Sequence, residues 1–228
     1  MDHYESLRRQ LERLCFRHLE LDPSRPLDFP DGRELPDLIE SACGRAVEDL
    51  EAYVAADPAL MGEARYALVP NSPFMATLSY RLSHLLWSRG GDLRSRQLAV
   101  EISHRARVLT GAEIHPAARI GRRFILDHGT NTVIGATAQI GDSCYVLNGV
   151  ILGARGISDN PSGKRHPTIG NRVQIGAFAR ILGDIRVGDD VFIAPLACVT
   201  RDIPDGSHVG GPVSGMQIRR HGIIADAV

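Results

Sequence analysis

The chain has 228 residues, 43% hydrophobic and 23% charged, which suffices for one or two modest domains with a buried core and argues against a disordered chain. Its formal net charge of -1 gives no case for nucleic acid or an anionic membrane surface as a partner. No run of residues approaches the length of a membrane span, and the N-terminus "MDHYESLRRQLERL" is too charged for a signal peptide.

Residues 1–110 are predicted to form a helical domain. Leucines recur at helical spacing over residues 7–21, and a second apolar stripe covers residues 38–54. A third helix is predicted to start at the capping-type "SP" of residues 72–73 and to stop at the glycine pair 90–91, and a fourth covers residues 94–109. The proline- and aspartate-rich stretch "LDPSRPLDFPDGRELP" predicts a loop.

From residue 114 the apolar period becomes six. Thirteen anchors at this spacing, with two phase breaks, are all Ile, Leu or Val, and seven are followed by glycine. The anchors are Ile114, Ile120, Leu126, Ile134, Ile140, Val146, Leu152, Ile169, Ile175, Ile181, Val187, Ile193 and Val199. Such hexads predict a parallel β-helix, in which three strand-plus-turn hexads close one triangular coil. The predicted fold class is therefore α+β, with a helical domain at 1–110, a β-helix at 111–212 and a tail at 213–228.

The two phase breaks lie next to polar clusters, and these are the candidate sites of chemistry. Asp127 and His128 interrupt the repeat at the first break, and the glycine- and charge-rich second break ends in Arg165 and His166. Glu113 precedes His128 by 15 residues, which places the two on nearby corners of the same or the next coil. A carboxylate beside an imidazole is the arrangement that orients and stabilises a general base.

Each candidate also has a purely structural interpretation. Asp127 could form an ordinary Asx turn, and Arg165 with His166 could belong to a solvated loop. His115, followed by proline, could simply end a turn. Cys144 falls at an inward-facing position, which predicts a packed thiol, and the four scattered cysteines without C-x-x-C spacing predict free thiols in a reducing cytoplasm.

The segments "TGAEIHPAARIGRRFILDHG" and "GKRHPTIG" resemble signatures of the serine O-acetyltransferase family, within the hexapeptide-repeat acyltransferases. The resemblance runs from about residue 74 to 211, and "EAYVAADPAL" and "YRLSHLLW" resemble the helical domain of that family. It implies a left-handed β-helix and homotrimers, often paired into hexamers through the helical domain. It also implies active sites between neighbouring prisms and no metal.

The resemblance implies that a serine hydroxyl attacks acetyl-CoA directly, without an acyl-enzyme. His128 matches the general base and Glu113 its carboxylate partner. Arg165 and His166 match residues that hold the acceptor carboxylate. Asp127 matches an acid that binds the acceptor ammonium group. Asp57, in "DPAL", matches a second such acid.

The co-substrate acetyl-CoA is expected in the groove between prisms. The residues expected to line it are Gly153, Gly176, Ala177, Ala194 and Pro195.

Several departures from the family pattern surround the acceptor pocket. Ala136 stands where the family usually has glutamate, "LGARG" replaces a glycine pair, and the loop to His166 is about three residues longer than usual. These changes leave an alternative in which the acceptor is not serine but a related molecule, such as homoserine or an amino sugar.

Two further alternatives belong to other classes of protein. A zinc site of the carbonic-anhydrase type would use His115, His128 and His166. A non-catalytic scaffold would need none of the three. The family resemblance also implies cysteine synthase as a candidate partner, bound through the C-terminal "RRHGIIADAV".

Overall fold

The computed structural model describes residues 3–18, 35–69, 72–89, 92–160 and 162–211. Its first part is helical, as predicted, with five α-helices and a short 3₁₀ helix at Pro58–Leu60. The α-helices are α1 (His3–His18), α2 (Leu35–Ala56), α3 (Ala64–Ala67), α4 (Pro73–Arg89) and α5 (Leu93–Thr110). The 3₁₀ helix and α3 were not predicted, and Leu21 and the C-terminal tail lie outside the described residues. In the described part of the chain, no helix has the length and apolar composition that a membrane span requires.

Helix α5 leads directly into the second part of the fold. The Asp92 side chain caps its start by accepting a hydrogen bond from the Ser95 backbone N–H (2.7 Å). Its end is set by Gly111, whose φ of 73° is the left-handed conformation that glycine adopts without a steric penalty. The first β-strand begins two residues later.

The second part is a parallel β-helix of fourteen strands of two or three residues. The strands are β1 (Glu113–Ile114), β2 (Arg119–Ile120), β3 (Ile125–Leu126), β4 (Val133–Ile134), β5 (Gln139–Ile140), β6 (Tyr145–Val146), β7 (Ile151–Gly153), β8 (Thr168–Ile169), β9 (Gln174–Ile175), β10 (Arg180–Leu182), β11 (Arg186–Val187), β12 (Phe192–Ile193), β13 (Cys198–Val199) and β14 (His208–Val209). They form three faces: β1-β4-β7-β10-β13 (face 1), β2-β5-β8-β11 (face 2) and β3-β6-β9-β12-β14 (face 3).

All thirteen predicted anchors are buried in one apolar column, so the six-residue periodicity is confirmed as the basis of this core. Each anchor pairs with the anchor one coil away: Ile114 pairs with Ile134, for example, and Ile134 with Leu152. Cys144 is buried as predicted; its Sγ lies 3.1 Å from the Gly170 carbonyl oxygen, and burial raises the pKa of its thiol to about 11.

Two of the three prism corners carry the candidate site residues. Turns that lead from face 3 to face 1 form the His128 corner, at residues 127–132, 147–150, 176–179 and 194–197. Turns that lead from face 1 to face 2 form the His166 corner, at residues 115–118, 135–138, 154–160, 162–167 and 183–185. The two phase breaks therefore lie on different corners of the prism.

Polar side chains from the helices attach the helical part to the first coil. The Tyr80 hydroxyl donates to the Ala118 carbonyl oxygen (2.8 Å) and accepts from the Ile120 N–H (3.0 Å). The Arg81 guanidinium makes a bidentate pair with Asp49 and also donates to the Ile120 carbonyl oxygen (2.7 Å). Every part of this junction is buried and hydrogen-bonded, which fixes α2 and α4 against the prism.

Candidate active site

His128 occupies an unusual position in its turn. Its φ is 58°, in the left-handed region, and its side chain is 75% exposed. Most other left-handed non-glycine residues of the prism are the third residue after an anchor, whereas His128 is the second after Leu126. They are Arg123, Ser143, Arg172, Phe178, Asp190 and Leu196. The two additional residues of this turn thus place an imidazole outside the apolar column, in a backbone conformation of the kind found at functional sites.

Asp127 precedes His128 but points back against the protein. Its side chain is only 12% exposed, and one carboxylate oxygen, Oδ2, accepts a hydrogen bond from the Tyr145 hydroxyl (2.8 Å). The other oxygen, Oδ1, lies 3.8 Å from His128 Nε2. An acid and an imidazole thus share one small site at the His128 corner.

A second acid and a second phenol from the helical part belong to this cluster. Asp57 follows α2 and caps the 3₁₀ helix by accepting from the Ala59 N–H (2.9 Å). Burial raises the pKa of Tyr53 to about 12, and the Asp127 and Asp57 carboxylates act in the same direction. The pKa of Tyr145 is raised as well, by burial first and then by its hydrogen bond to Asp127. The structure therefore brings Asp57 and Asp127 together, with two tyrosines that the sequence did not reveal.

Glu113 makes a different contact from the one expected. Its carboxylate forms an ion pair with the Arg107 guanidinium of α5 (2.8 Å). Within the described residues it makes no hydrogen bond or ion pair with His128. Its assignment as the partner of His128 stays a prediction.

His166 is held in one orientation at the other corner. Its Nδ1 accepts from the Thr137 backbone N–H (3.2 Å) and lies 2.8 Å from the Thr137 hydroxyl, so its Nε2 carries the proton in the neutral ring. Burial, together with the charges of Arg165 and Lys164, lowers the pKa of His166 to about 4. The ring covers Gly135, where a Cβ atom would lie 2.2 Å from Cδ2 and Nε2. His166 is thus a neutral N–H donor at physiological pH.

His115 lies at the same corner, in the turn of the first coil, whereas His166 lies in the turn of the third. Its Nδ1 accepts from the Ala117 N–H (3.0 Å), and Trp87 packs edge-on against its ring. Burial lowers the pKa of His115, and the charge of Arg165 adds to this effect. The Arg165 backbone N–H donates to the Thr137 hydroxyl (3.0 Å), so this hydroxyl also anchors the loop that carries the guanidinium.

Four of the five residues expected to line the CoA groove share the His128 corner. Gly176 and Ala177 lie in one turn there, and Ala194 and Pro195 in the turn of the next coil. A Cβ atom at Gly176 would lie 2.4 Å from the Pro195 backbone nitrogen, so only glycine allows these turns to approach so closely. The fifth residue, Gly153, ends β7 at the His166 corner instead.

A single chain therefore splits the candidate residues into two groups. Asp57, Asp127 and His128 gather at one corner, and Arg165 and His166 gather at the other, across face 1. The three histidines of the zinc alternative are divided in the same way. No group of three or more His, Cys, Asp or Glu side chains suited to a metal ion occurs in the described ranges.

Comparisons with known proteins give a consistent set of relatives. Residues 166–201 match the family model described as bacterial transferase hexapeptide (six repeats). The serine acetyltransferase of Helicobacter pylori is 45% identical over 162 residues, which cover 71% of this chain and 90% of that protein. The serine acetyltransferase of Synechococcus elongatus is 42% identical over 153 residues, covering 67% of this chain and 59% of that longer protein. The solved structure of soybean serine acetyltransferase complexed with serine superposes with a TM-score of 0.71 at 32% identity, covering 93% of this chain and 83% of that one.

Proposed function

The chain belongs to the serine acetyltransferase family, and on this basis we propose that it transfers the acetyl group of acetyl-CoA to the hydroxyl of L-serine, giving O-acetyl-L-serine and CoA. The superposition on the soybean enzyme covers both the hexapeptide repeats and the helical part of the chain. The left-handed winding that the family resemblance implies is part of the proposal.

The observation that carries the choice of acceptor is the pairing of Asp127 with His128. Asp127 Oδ1 and His128 Nε2 are 3.8 Å apart, one to accept an ammonium group and the other to accept a hydroxyl proton. A 1,2-amino alcohol carries its nitrogen and oxygen on neighbouring carbons and can bridge so short a gap. A γ-hydroxyl lies one methylene further away and must fold back to reach the same nitrogen.

The reaction needs one base and no covalent enzyme intermediate. The serine Oγ attacks the thioester carbonyl carbon while His128 Nε2 takes the hydroxyl proton. The tetrahedral intermediate then collapses, the carbon–sulfur bond breaks, and the proton passes to the leaving thiolate. General-base assistance of this kind is worth on the order of 10²–10⁴-fold in rate.

The acceptor carboxylate is assigned to the His166 corner. The Arg165 guanidinium supplies charge and paired N–H donors, and the neutral His166 ring supplies an N–H donor at Nε2. Because the low pKa of His166 keeps it neutral, this contact is a hydrogen bond rather than an ion pair.

The proposed site is completed by a second chain, because Asp127 and His128 lie on one corner of the prism and Arg165 and His166 on another. We propose a homotrimer in which the His128 corner of one chain faces the His166 corner of the next, with acetyl-CoA in the groove between them. Gly176, Ala177, Ala194 and Pro195 line this groove from one side, and Gly153 lines it from the neighbouring chain.

The helical domain at 1–110 would pair two such trimers into a hexamer, beside the β-helix domain at 111–212 and the tail at 213–228. Binding of cysteine synthase by this tail concerns residues that lie outside the described ranges. Light scattering after size exclusion at micromolar concentration should give a trimer or hexamer, and a monomer with full activity would contradict the shared site.

A related acceptor is the second candidate, and one observation favours it. Ala136 lines a cavity of about 270 Å³ together with Arg119, Lys164 and Thr137, the residue that contacts His166 Nδ1. This space lies beside the proposed carboxylate receptor and could accept a longer hydroxy amino acid such as homoserine.

The decisive experiment is a screen of hydroxy amino acids as acceptors with acetyl-CoA as the donor. The release of free CoA measures the reaction. We expect kcat/KM for L-serine to exceed that for homoserine by more than tenfold. An Asp127→Asn variant should lose most of this kcat/KM while retaining its KM for acetyl-CoA. A preference for homoserine would transfer the assignment to the second candidate.

A further inference from the structure

We propose that Tyr145 and Tyr53 are positioning residues that hold the Asp127 carboxylate ready for the acceptor ammonium group, and that they thereby select acceptors with a free amine beside the hydroxyl. The inference rests on the proposed function, since it concerns the acceptor subsite of the same reaction. Neither tyrosine contacts the reacting atoms in this account; both act through Asp127.

Tyr145 holds Asp127 from the prism. It precedes the anchor Val146 in β6, so its side chain points outward from face 3 and packs against the helical core. It pairs in register with Ile125 of β3, the strand that ends immediately before Asp127. From there its hydroxyl donates to Asp127 Oδ2 (2.8 Å), which leaves Oδ1 on the side of His128.

Tyr53 approaches from the helical part. It lies near the end of α2, four residues before Asp57, and its side chain is buried in the helical core. The Asp127 and Asp57 carboxylates lie close enough to its hydroxyl to raise its pKa further, after the effect of burial. Tyr53 therefore lies near both carboxylates, and Tyr145 donates a hydrogen bond to one of them.

The Tyr145 phenol compensates for the hydration that Asp127 loses. The Asp127 side chain is only 12% exposed, and a carboxylate withdrawn from water needs hydrogen-bond donors in its place. Because burial raises the pKa of both tyrosines, they stay protonated donors at neutral pH.

An Asp127 carboxylate held in this orientation has a direct consequence for selectivity. A cation that binds Oδ1 lies next to His128 Nε2, so an ammonium group places the adjacent hydroxyl within reach of the base. An acceptor without the amine would leave a buried carboxylate desolvated and unpaired, which disfavours its binding.

The test compares Tyr145→Phe and Tyr53→Phe with Tyr80→Phe, each of which removes one phenol hydroxyl. Tyr80 is the matched control, because its hydroxyl bonds to the Ala118 carbonyl at the domain junction and not to Asp127. We expect Tyr145→Phe to raise KM for L-serine roughly ten- to 150-fold, the range for losing one hydrogen bond to a charged group. The kcat and the KM for acetyl-CoA should change less than about threefold, and Tyr80→Phe should leave KM for L-serine unchanged.

Different failures have different meanings. If the wild-type chain acetylates no hydroxy amino acid, the proposed function itself is wrong. If the wild-type enzyme is active but Tyr145→Phe and Tyr53→Phe retain its KM for L-serine, only the positioning role is overturned. Equal losses in all three variants, or a parallel rise in KM for acetyl-CoA, would show general destabilisation and would also overturn it. Should Tyr145→Phe fail to fold, the Tyr53→Phe data and calorimetric binding of L-serine to that variant decide the matter alone.

Discussion

The Thr137 hydroxyl and the His166 imidazole are joined by a 2.8 Å contact at Nδ1. The same hydroxyl accepts the backbone N–H groups of Arg165 (3.0 Å) and His166 (3.1 Å). One side chain in the second coil therefore holds the last residues of the long loop and also sets the tautomer of the ring. The geometry of the proposed carboxylate receptor depends on this hydroxyl.

Replacing Thr137 by Val keeps the shape of the side chain but removes the hydroxyl. Two backbone N–H groups then lose their acceptor, and an unsatisfied buried group costs about 1–3 kcal/mol. We expect KM for L-serine to rise roughly tenfold, the equivalent of about 1.4 kcal/mol, with a smaller change in kcat. Thr137→Ser, which retains the hydroxyl, is the control in steady-state kinetics and should remain close to wild type.

Replacing His128 by Asn should remove the general base without disturbing the turn. Asparagine tolerates the left-handed conformation observed at this position, and the side chain is exposed rather than part of the apolar column. We expect kcat to fall on the order of 10²–10⁴-fold at saturating acetyl-CoA, with an unchanged thermal midpoint. A variant with wild-type kcat would show that another group takes the proton.

Glu113→Gln tests whether this carboxylate supports the base or only pairs with Arg107. Arg107→Gln removes the same ion pair from the other side and serves as the matched control. If Glu113 orients His128 during the reaction, Glu113→Gln should lower kcat by a factor smaller than that of His128→Asn, while Arg107→Gln should not lower it. The same loss in both variants would assign Glu113 a structural role.

The prism core was predictable because each anchor repeats the same local requirement, an aliphatic side chain that points inward once in six residues. The fourteenth strand escaped this pattern, since Val209 follows Val199 by ten residues rather than six. Asp127 and His128 were detectable for the converse reason. They are polar residues directly after an anchor, where the repeat usually has glycine and a structural turn.

The supporting residues of the site could not be predicted in this way. Tyr145 reaches Asp127 through the pairing of β6 with β3, and Tyr53 reaches it through the packing of α2 against the prism. Thr137 stands among alanines within a regular hexad, so the repeat gives no sign of its hydrogen bonds. The contact of Glu113 with Arg107 depends on how α5 enters the first coil, which no sequence spacing specifies.

His166 should make the folded protein less stable as the pH falls below neutrality. Its pKa is lowered to about 4 in the folded state, whereas an unfolded histidine titrates near ~6.5. Between these values the unfolded chain binds more protons, so the free energy of unfolding must decrease as the pH falls from about 6.5 to about 4. Urea unfolding at pH 7.5 and pH 5 should show a smaller decrease for His166→Gln than for wild type. An identical decrease in the two proteins would contradict the assigned neutral ring.

The buried pair of Asp49 and Arg81 should contribute far more to stability than the exposed pair of Glu48 and Arg122, although both are bidentate. The Asp49 and Arg81 side chains are 0% and 6% exposed, and Asp49 also accepts the Phe124 N–H (2.9 Å). Asp49→Asn leaves a buried guanidinium without its counter-charge, which costs about 3–5 kcal/mol. Glu48→Gln breaks a solvent-screened pair and should leave the urea midpoint of unfolding within experimental scatter.

Because Arg81 also bonds to the Ile120 carbonyl, the Asp49→Asn loss should appear as detachment of the helices from the first coil. Amide hydrogen exchange should then increase first at residues 118–124, and equal effects of the two substitutions would contradict this account of the junction.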